Sequence, residues 1–527
     1  MTPVANVATF RSNHNTDSLI FLEGYTITCD GGDGFFQYIP TDTTSADNGG
    51  TIIVDAGGRR YYRSFAGVVN VQWFGAKGDG VTDDTSAIQA ADTYARAVGG
   101  GTIVFPGGTF MVSQLVLYTG SNWRGAGRNA TTIMQIIGSN TDLIYGNNSN
   151  ANWGSTSPTL IVDGFELQGV TLNGNWNAGS GNTSGSGIAA YCARPILRDV
   201  FITNCAQYGI RTEYADSSAG GLDTFTMEGF FENIRIDTVG MHGWWNNGPH
   251  DSITVNMDIV DAGQVTTNTY DAFHYDAKSG GPNIALHAWS RTSTARQRFA
   301  LYLLPGARHT FSGGCSFEGA YTANVCLTAS YTIFDPSTRY FAAWNGANIY
   351  LGLSATQNII KGFVDAPGAG RPASVGIILG SNSGDYISAN EIDLVCSQQE
   401  NGNIRFSTYD AGNNKIKLLA YNTTSATFTG TPSTLDDVDM MFQNSSGTSH
   451  VRNLEQQTAI SIGANANATW TFPFAFAALP VVIFSPSLPS GSITSGIWIS
   501  SLSATSVSIY NSNSVSMTLV VTARAFA

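Results

Sequence analysis

The feature that most constrains the fold is a short apolar-alternating segment that recurs roughly every 25–35 residues through the middle of the chain. Six copies align with one another: LQGVTLN (167–173), LRDVFIT (197–203), FENIRID (231–237), TVNMDIV (254–260), ALHAWSR (285–291) and SGGCSFE (312–318). The fourth place is apolar or small in each copy, and the sixth is apolar in nearly all. Because these two places face the same side of a strand, stacked copies would form a continuous interior.

A second strand follows the first in most coils: YGIRTE, HGWWNN, AFHYD, FALYLL and ANVCLT. Its inward positions are Ile210, Trp244, Phe273, Leu301 and Val325. One coil length with two or three strands per turn predicts a parallel β-helix, and right-handed crossovers are the default for parallel strands. We therefore expect an all-β chain built on a right-handed, single-stranded parallel β-helix.

The composition agrees with a solenoid. Charged residues make up 12% of the chain, about half the usual ~25%, and there are 59 glycines. A hydrophobic content of 42% excludes a disordered chain. The net charge of -13 argues against nucleic acid or an anionic membrane as partner, but is compatible with a polysaccharide. The most apolar stretch, 472–484, is short and contains prolines, so we expect no membrane insertion.

The pattern predicts four regions. Residues 1–70 consist of short alternating segments between Gly- and Asp-rich turns, which indicates a small N-terminal β domain. Residues 71–112 would form the β-helix entry with a capping helix, and residues 113–430 the body of the β-helix. Residues 431–527 contain closely spaced short strands, which are typical of an antiparallel β-sandwich.

The capping helix is predicted from TSAIQAADTYARAV, which Asp84 or Thr85 can cap. One side of it is apolar, through Ile88, Ala91, Ala95 and Val98. Such a helix would cover the interior and the strand edges of the first rung. The segment DGVTDDT leads into this helix. Its residues Asp79, Asp83 and Asp84 are interpreted as turn and cap residues, with a calcium loop as the alternative.

Three segments carry a family resemblance: FGAKGDGVTDDTSAIQAA (74–91), GGGTIVFPGGTFMV (99–112) and NWRGAGRNATTI (122–133). They resemble the start of the pectate-lyase-like β-helix, and more closely that of bacteriophage tailspikes that depolymerise host capsule or O-antigen. The resemblance implies a homotrimer whose C-terminal region trimerises. It also implies a virion tail protein that is made in the host cytoplasm, is attached through its N-terminus to a tail or baseplate protein, and acts at the host cell surface on bacterial polysaccharide.

The resemblance fixes no catalytic residues, so the outward positions of the rungs must suggest them. On the first strand they gather an unusual set: Asp237, Asp258, His287, Trp289, Arg291 and Glu318. Asp237 and Asp258 would lie one rung apart, near the ~5–5.5 Å of retaining glycosidases. Asp258 and Glu318 would lie two rungs apart, roughly 9.6 Å, as in inverting enzymes. Arg291 would hold Glu318 ionised or bind an acidic sugar, and the alternative is a solvated charge ladder with local salt bridges.

The second strand offers a rival face. Its outward positions are Arg211, Trp245, His274 and Tyr302, followed by Glu213, Asn247 and Asp276. Exposed aromatic rings at Trp245, His274 and Tyr302 would pack against the C–H faces of sugars, unless they form contacts across a trimer interface. Glu213 and Asp276, two rungs apart, would then be the acid/base pair.

The preferred function is glycosidic hydrolysis of capsular or O-antigen polysaccharide by a carboxylate pair. A polysaccharide lyase acting by β-elimination and a non-catalytic tail adhesin are the alternatives. The seven histidines lack metal-site spacing, so no metal and no other cofactor is expected. The six cysteines are too few for a disulfide framework and are expected to be reduced and buried.

Overall fold

The computed structural model of the chain separates into two compact units, Met1–Arg298 and Phe299–Ala527. The residues that the structure describes are 2–146, 162–177, 180–213, 228–247, 254–276, 283–291, 297–305, 308–365, 375–397, 402–406, 410–421, 428–430, 432–433, 436–444, 447–452, 455–472, 480–487, 497–512 and 516–524.

The N-terminal unit begins with a small five-stranded sheet. Its strands, in spatial order, are Thr2–Val4, Leu19–Leu22, Gly34–Tyr38, Arg60–Arg63 and Ile52–Val54. Helix α1 (Val7–Ser12) begins at Asn6, whose side chain accepts a hydrogen bond from the Thr9 backbone. Phe10 of this helix packs edge-on against Phe36 and Tyr61 in the core of the sheet.

Helix α2 (Thr85–Ala97) follows at the entry to the β-helix, as predicted. Its residues Ile88, Ala91 and Ala95 are buried, as predicted. The prediction that Val98 belongs to the same apolar side is wrong, because Val98 lies beyond the helix and is exposed. The predicted cap is only partly right. Asp84 is the N-cap residue, but its carboxylate turns back and accepts hydrogen bonds from the backbone of the preceding loop.

A buried carboxylate attaches this helix to the first rungs. Asp92 accepts hydrogen bonds from Trp123 Nε1 at 2.7 Å and from Ser121 Oγ at 3.1 Å. Arg96, one turn further along, donates to the same carboxylate at 2.8 Å. The amphipathic pattern predicts the apolar side of the helix. The hydrogen bonds to Asp92 add what the pattern does not show, because they fix the position of the helix on the first rungs.

Two parallel sheets form the solenoid part of the N-terminal unit. Sheet 1 consists of Val69–Asn70, Asp79–Asp83, Ile103–Phe105, Gly108–Val112, Asn122–Gly125, Thr131–Gln135, Glu166–Asn173, Ile196–Cys205, Phe230–Val239, Thr254–Val260 and Asn283–Trp289. Sheet 2 consists of Leu115–Leu117, Ile144–Gly146, Ile188–Ala193, Ile210–Glu213, Trp244–Asn247 and Phe273–Asp276. Val162–Asp163 pairs with one sheet-2 strand, Trp176–Asn177 pairs with Ser180–Gly181, and a 3₁₀ turn spans Val71–Phe74. Successive coils contribute adjacent parallel strands, which confirms the parallel β-helix.

The predicted interior is confirmed by burial. The fourth-place residues Val170, Val200, Ile234 and Met257 are all buried, and so are the second-strand residues Ile210, Trp244 and Phe273. The alignment of the fifth segment is wrong by two residues. His287 pairs with Asp258, and Trp289 pairs with Val260, so Arg291 lies beyond the end of the strand rather than in the ladder.

Within the C-terminal unit the parallel strands fall into two groups, termed sheet 3 and sheet 4. Sheet 3 consists of Thr310–Phe311, Ser316–Glu318, Ile333–Phe334, Arg339–Phe341, Ile359–Asp365, Glu391–Ser397, Lys415–Tyr421 and Asp437–Asn444. Sheet 4 consists of Phe299–Leu303, Ala323–Leu327, Ala347–Leu351, Val375–Leu379, Ile404–Phe406 and Phe428–Thr429. A short parallel pair joins Ile387–Ser388 and Asp410–Gly412. The predicted interior residues Cys315, Phe317, Leu301 and Val325 are buried in this unit.

A ladder of buried asparagines runs along a corner of this unit. Asn358 donates to Asn390, Asn390 donates to Asn414, and Asn414 donates to Asp436, each at 2.9–3.0 Å between side-chain atoms. The same side chains also bind backbone groups. The oxygens of Asn390, Asn414 and Asp436 accept hydrogen bonds from the backbone N–H groups of Asn358, Asn390 and Asn414, respectively. The ladder therefore satisfies polar backbone groups at turns that are shut off from water.

The strand direction changes after the last coil. Strands Gly447–Arg452, Glu455–Ile462, Met517–Arg524 and Val481–Ser487 continue sheet 3 as antiparallel strands. Ala466–Thr471, Ser506–Asn511 and Ile497–Leu502 form a separate antiparallel sheet. Residues of both groups, among them Trp470, Val507 and Leu519, share one apolar core.

All six cysteines are free thiols, and five are buried as predicted, but Cys29 is exposed. None of the helices within the described residues has the length and apolar character needed to cross a membrane.

Candidate functional site

Sheet 1 of the N-terminal unit carries an ion-pair network on its outer face. Arg235 lies between two of the predicted catalytic carboxylates: its Nη1 is 2.8 Å from Asp258 Oδ2, and its Nη2 is 2.9 Å from Asp237 Oδ2. Arg291 forms two contacts with Asp237 and a further one with Asp261 at 3.0 Å. Asp237 and Asp258 are thus on neighbouring strands, as predicted, but are joined through arginine.

This environment keeps Asp237 ionised. Burial raises the pKa of its carboxyl, but hydrogen bonds from Arg291, Arg235 and Thr238 outweigh burial and bring the pKa below its ordinary value. A general acid must carry a proton near neutral pH, so Asp237 is poorly suited to that role.

The aromatic residues of this face serve the same network. Trp289 Nε1 donates to Asp258 Oδ1 at 3.0 Å, and His287 Nδ1 lies 3.3 Å from the same oxygen. The His287 and Trp289 rings are nearly parallel, with centroids 5.7 Å apart. This geometry favours the salt-bridge interpretation of the sheet-1 face.

Sheet 2 brings the second predicted set together. Arg211, Trp245 and His274 are aligned on three adjacent strands. Tyr208, from the turn before the first of these strands, stacks on Trp245 with ring centroids 5.4 Å apart. The Arg211 guanidinium lies 4.9 Å from the centre of the Trp245 ring. The result is a partly exposed surface of aromatic rings with one cation.

A fully buried carboxylate lies beside this surface. Asp271 Oδ2 is 2.7 Å from His274 Nδ1, and Arg298 binds the carboxylate through both oxygens at 3.0 and 2.8 Å. Burial raises the pKa of Asp271, but the hydrogen bonds from His274 and Arg298 outweigh burial and bring it below its ordinary value. The ionised Asp271 therefore holds the His274 ring with Nδ1 protonated, which makes Nε2 the basic nitrogen.

A second histidine packs against the first. His242 and His274 have ring centroids 4.5 Å apart, and the Tyr208 ring lies parallel to that of His242 at 5.8 Å. His242 Nδ1 accepts the backbone N–H of Asp271 at 2.9 Å. Burial lowers the pKa of His242 to about 3, so its imidazole is neutral.

His242, Asp271 and His274 bring three potential metal-ligand atoms within 4.8 Å of one another. The donors do not fit a cation, because Arg298 already binds both oxygens of Asp271, and the His242 Nδ1 lone pair already accepts a backbone N–H. A divalent ion would also add two positive charges to a buried ion pair that is already neutral. The cluster is an Arg–Asp–His network.

The other predicted residues fall elsewhere. The strand of Asp276 continues the sheet-2 alignment opposite Asn247, but the side chains of Asp276, Asn247 and Glu213 lie outside the described residues. Glu318 and Tyr302 belong to the C-terminal unit, where the Tyr302 ring packs at 5.1 Å against Phe299. The predicted roles of these residues stay predictions.

Sequence reasoning missed Tyr208, His242, Asp271 and Arg298. Each lies in a turn just outside a strand, so the alternation used to select outward residues does not include it. One available signal was the spacing of Asp271 and His274. An acidic residue three positions before an outward histidine, at the turn into a strand, can reach back to its ring.

Two families match the N-terminal half of the chain. Residues 3–66 match the phage tail protein small four-stranded beta-sheet domain, and residues 68–274 match the rhamnogalacturonase A/epimerase, pectate lyase-like family. The chain therefore joins a phage tail β-sheet domain to a pectate-lyase-like domain. The pectate-lyase-like match runs to His274 and includes the aromatic surface of sheet 2.

The relatives that the chain matches include an Azotobacter vinelandii enzyme and a Bacillus phage protein. Mannuronan C5-epimerase AlgE3 of Azotobacter vinelandii is 32% identical over 229 residues, 39% of this chain and 11% of that protein. The pre-neck appendage protein of Bacillus phage phi29 is 31% identical over 203 residues, 36% of this chain and 22% of that protein. The chain thus spans a small part of the length of both relatives.

A tailspike protein of Acinetobacter baumannii bacteriophage Fri1, described as a capsular polysaccharide depolymerase, is a solved structure similar to this chain. The two share 11% identity with a TM-score of 0.49, over 99% of this chain and 97% of the other.

Proposed function

We propose that the chain is a phage tailspike that binds an acidic bacterial surface polysaccharide across sheet 2 and depolymerises it there. The observation that carries the proposal is the Asp271–His274 pair, at 2.7 Å, beside the stacked rings of Tyr208 and Trp245. An oriented histidine next to an aromatic surface combines a base with a means of holding a sugar.

The aromatic surface supplies the binding step. The C–H faces of pyranose rings pack on the indole of Trp245, and Arg211 beside it offers a cation to a sugar carboxylate. The neutral imidazole of His242 adds no charge of its own, so Arg211 sets the preference for an acidic sugar. Parallel coils repeat at about 4.8 Å, which suits an extended chain laid along the solenoid.

β-Elimination is the reaction that this geometry supports best. His274 Nε2 would take the proton at C5 of a uronic acid, the electron pair would form the C4–C5 double bond, and the C4–O bond would break. The leaving oxygen then takes a proton from solvent. Arg211 would stabilise the negative charge that develops on the sugar carboxylate. The relative named as a mannuronan C5-epimerase is consistent with this proposal, because inversion at C5 also begins with removal of that proton.

Hydrolysis by a carboxylate pair has less support. It needs one protonated carboxyl group, whereas Asp237 is held ionised and Asp258 is bound by Arg235. Glu318 and Asp276 stay candidates for that reaction.

The family match of residues 3–66 supports a place on the phage tail. We propose that this domain attaches the chain to a tail or baseplate protein and that the chain is a homotrimer in the virion, acting at the host cell surface. The related phi29 protein is named as a pre-neck appendage, which is consistent with such an attachment.

Incubation of the chain with alginate and with purified acidic capsular polysaccharides tests the reaction. β-Elimination predicts a fall in polymer size together with the ultraviolet absorbance of an unsaturated uronate, and His274→Gln should abolish both. New reducing ends without that absorbance would establish hydrolysis instead. Inversion at C5 without loss of size, detected by NMR, would identify an epimerase, and binding without either change would identify an adhesin.

A further inference from the structure

The turns that follow sheet 4 in the C-terminal unit expose large side chains in a backbone conformation that disfavours them. Tyr331 has φ +60° and Leu353 has φ +47°, and their exposed fractions are 49% and 45%. Left-handed backbone costs a bulky residue free energy that glycine or asparagine avoids. Among the described non-glycine residues with positive φ, nine of seventeen are Asn or Asp. The turns therefore do not themselves require Tyr or Leu.

These two residues belong to a series of exposed groups on successive coils. Arg308 lies on the coil that precedes the coil of Tyr331, and its guanidinium is 4.8 Å from the centre of the tyrosine ring. The backbone N–H of Tyr331 bonds Thr356 O, at 3.2 Å, on the coil that contains Leu353. Tyr386, 57% exposed, comes from the next coil, and its backbone bonds that of Leu353. Arg308, Tyr331, Leu353 and Tyr386 are termed the Tyr331 corner.

A buried carboxylate fixes part of this corner. Asp385 accepts hydrogen bonds from the backbone of Leu353 at 2.7 Å, from the backbone of Ser381 and Asn382, and from Tyr350 Oη at 3.0 Å. Burial raises the pKa of Asp385, but these donors outweigh burial and bring it below its ordinary value. Leu353 and the neighbouring Tyr386 are thereby held in place without a ligand, which lowers the entropic cost of binding one.

We propose that the Tyr331 corner is a second, non-catalytic binding site for an acidic polysaccharide. This identification of the ligand rests on the proposed function, since that function makes an acidic glycan the molecule the chain meets. The chemistry fits such a ligand. Tyr331 and Tyr386 offer faces for sugar C–H groups, and Arg308 offers a charge for a carboxylate. The hydroxyls of Ser330 and Thr356, 2.8 Å apart, lie alongside for sugar hydroxyls.

The spacing also favours a glycan over a second protein chain. Coils repeat at about 4.8 Å, close to the length of one pyranose ring, so neighbouring coils can contact neighbouring sugars. The exposed groups form a narrow row with a cation at one end rather than a broad apolar patch. A second site for the same polymer would raise the effective concentration of long chains at the enzyme.

The test uses the full chain and native affinity electrophoresis in gels that contain alginate or purified acidic capsular polysaccharides, with dextran as the neutral comparison. The variants are Tyr331→Asn and Leu353→Asn, whose new residues suit left-handed backbone, so the melting temperature should stay equal or rise. Retardation by the acidic polymer should weaken about fivefold, while turnover of short oligosaccharides stays unchanged. Tyr421→Asn, at an exposed tyrosine on sheet 3, is the matched control and should bind as the wild type.

Three results would overturn the proposal: wild-type affinity in both variants, a wild-type chain that none of the acidic polymers retards, or an altered sedimentation coefficient in the variants, which would identify a protein interface. His274→Gln separates the two proposals. If it is inactive while Tyr331→Asn binds normally, only the second site fails. If it is fully active while Tyr331→Asn binds weakly, only the proposed catalytic site fails.

Discussion

His274 Nδ1 lies 2.7 Å from Oδ2 of Asp271, a carboxylate that has no exposure to solvent. A hydrogen bond of this kind fixes which nitrogen of the ring carries the proton and which is the base. Arg298 also donates to the Asp271 carboxylate and balances its charge. The arrangement therefore makes Asp271 a positioning residue for His274.

Asp271→Asn should lower kcat by about 10²–10⁴-fold, the range for lost general-base catalysis, with little change in KM. It should also lower the free energy of unfolding by about 3–5 kcal/mol, because Arg298 loses its buried partner. Kinetics and denaturant titration of the same preparation measure both effects. Asp393→Asn, at a half-buried residue near Lys417, is the control and should change neither. Full activity in Asp271→Asn would remove His274 as the base.

Trp245→Ala should act on binding rather than on the chemical step. The variant loses the indole that packs with Tyr208 and Arg211, so KM for polysaccharide should rise about tenfold while kcat stays within about twofold. Trp245→Phe should recover part of the loss, because it keeps an aromatic face. A fall in kcat with unchanged KM would contradict a role in substrate binding.

Asp237→Asn tests whether catalysis takes place on the outer face of sheet 1 or on that of sheet 2. If the sheet-1 network is structural, the variant should keep depolymerase activity within about twofold and lose only about 1–2 kcal/mol of stability. The partly exposed Arg235 and Arg291 lose their shared partner but keep Asp258 and Asp261, respectively. Activity assays at a temperature well below the transition keep the two effects apart. A loss of activity without unfolding would contradict the site on sheet 2 and indicate that Asp237 on sheet 1 takes part in catalysis.

Strand alternation predicts a large part of the fold but not the details of the site. The inward residues, such as Val200 and Ile236, follow from a period of two, and burial confirms them. The same period cannot fix register, because a slip of two residues keeps every side chain on its face. In ALHAWSR both Leu286 and Ala288 suit the fourth place, and the alignment chose the wrong one.

The proposed catalytic cluster is less accessible to such reasoning because its members meet through turns. Asp271 and Arg298 are 27 residues apart and outside the strands, and no local pattern links them. Likewise, the apolar side of helix α2 is visible in the sequence, whereas the hydrogen bond that Trp123 donates to Asp92 depends on tertiary packing.

Acid should destabilise the C-terminal unit through His309. Burial lowers the pKa of His309 to about 3 from an ordinary 6.5, so between these values the unfolded state takes up a proton that the folded state does not. The free energy of unfolding is therefore unaffected by His309 above about pH 6.5. It falls as the pH drops towards 3, by up to about 1.4 kcal/mol per pH unit. His309→Leu should reduce this slope in denaturant titrations from pH 7 to pH 4. Equal slopes in the two proteins would contradict the buried neutral imidazole.

Asn390→Ala should be among the most destabilising single substitutions in the same unit. Its side chain donates to Ala355 O and Asn414 Oδ1 and accepts from the backbone and the side chain of Asn358. Each buried group left without a partner costs about 1–3 kcal/mol, so a loss of about 3–5 kcal/mol is expected in chemical denaturation. Asn390→Asp keeps the acceptor oxygen but places a second oxygen against Ala355 O and Asn414 Oδ1, and should be at least as destabilising. Gln443→Ala, at an exposed residue on sheet 3, is the control and should stay within about 0.5 kcal/mol of the wild type. An Asn390→Ala protein as stable as this control would mean that water replaces the asparagine without loss and that the ladder does not hold successive coils together.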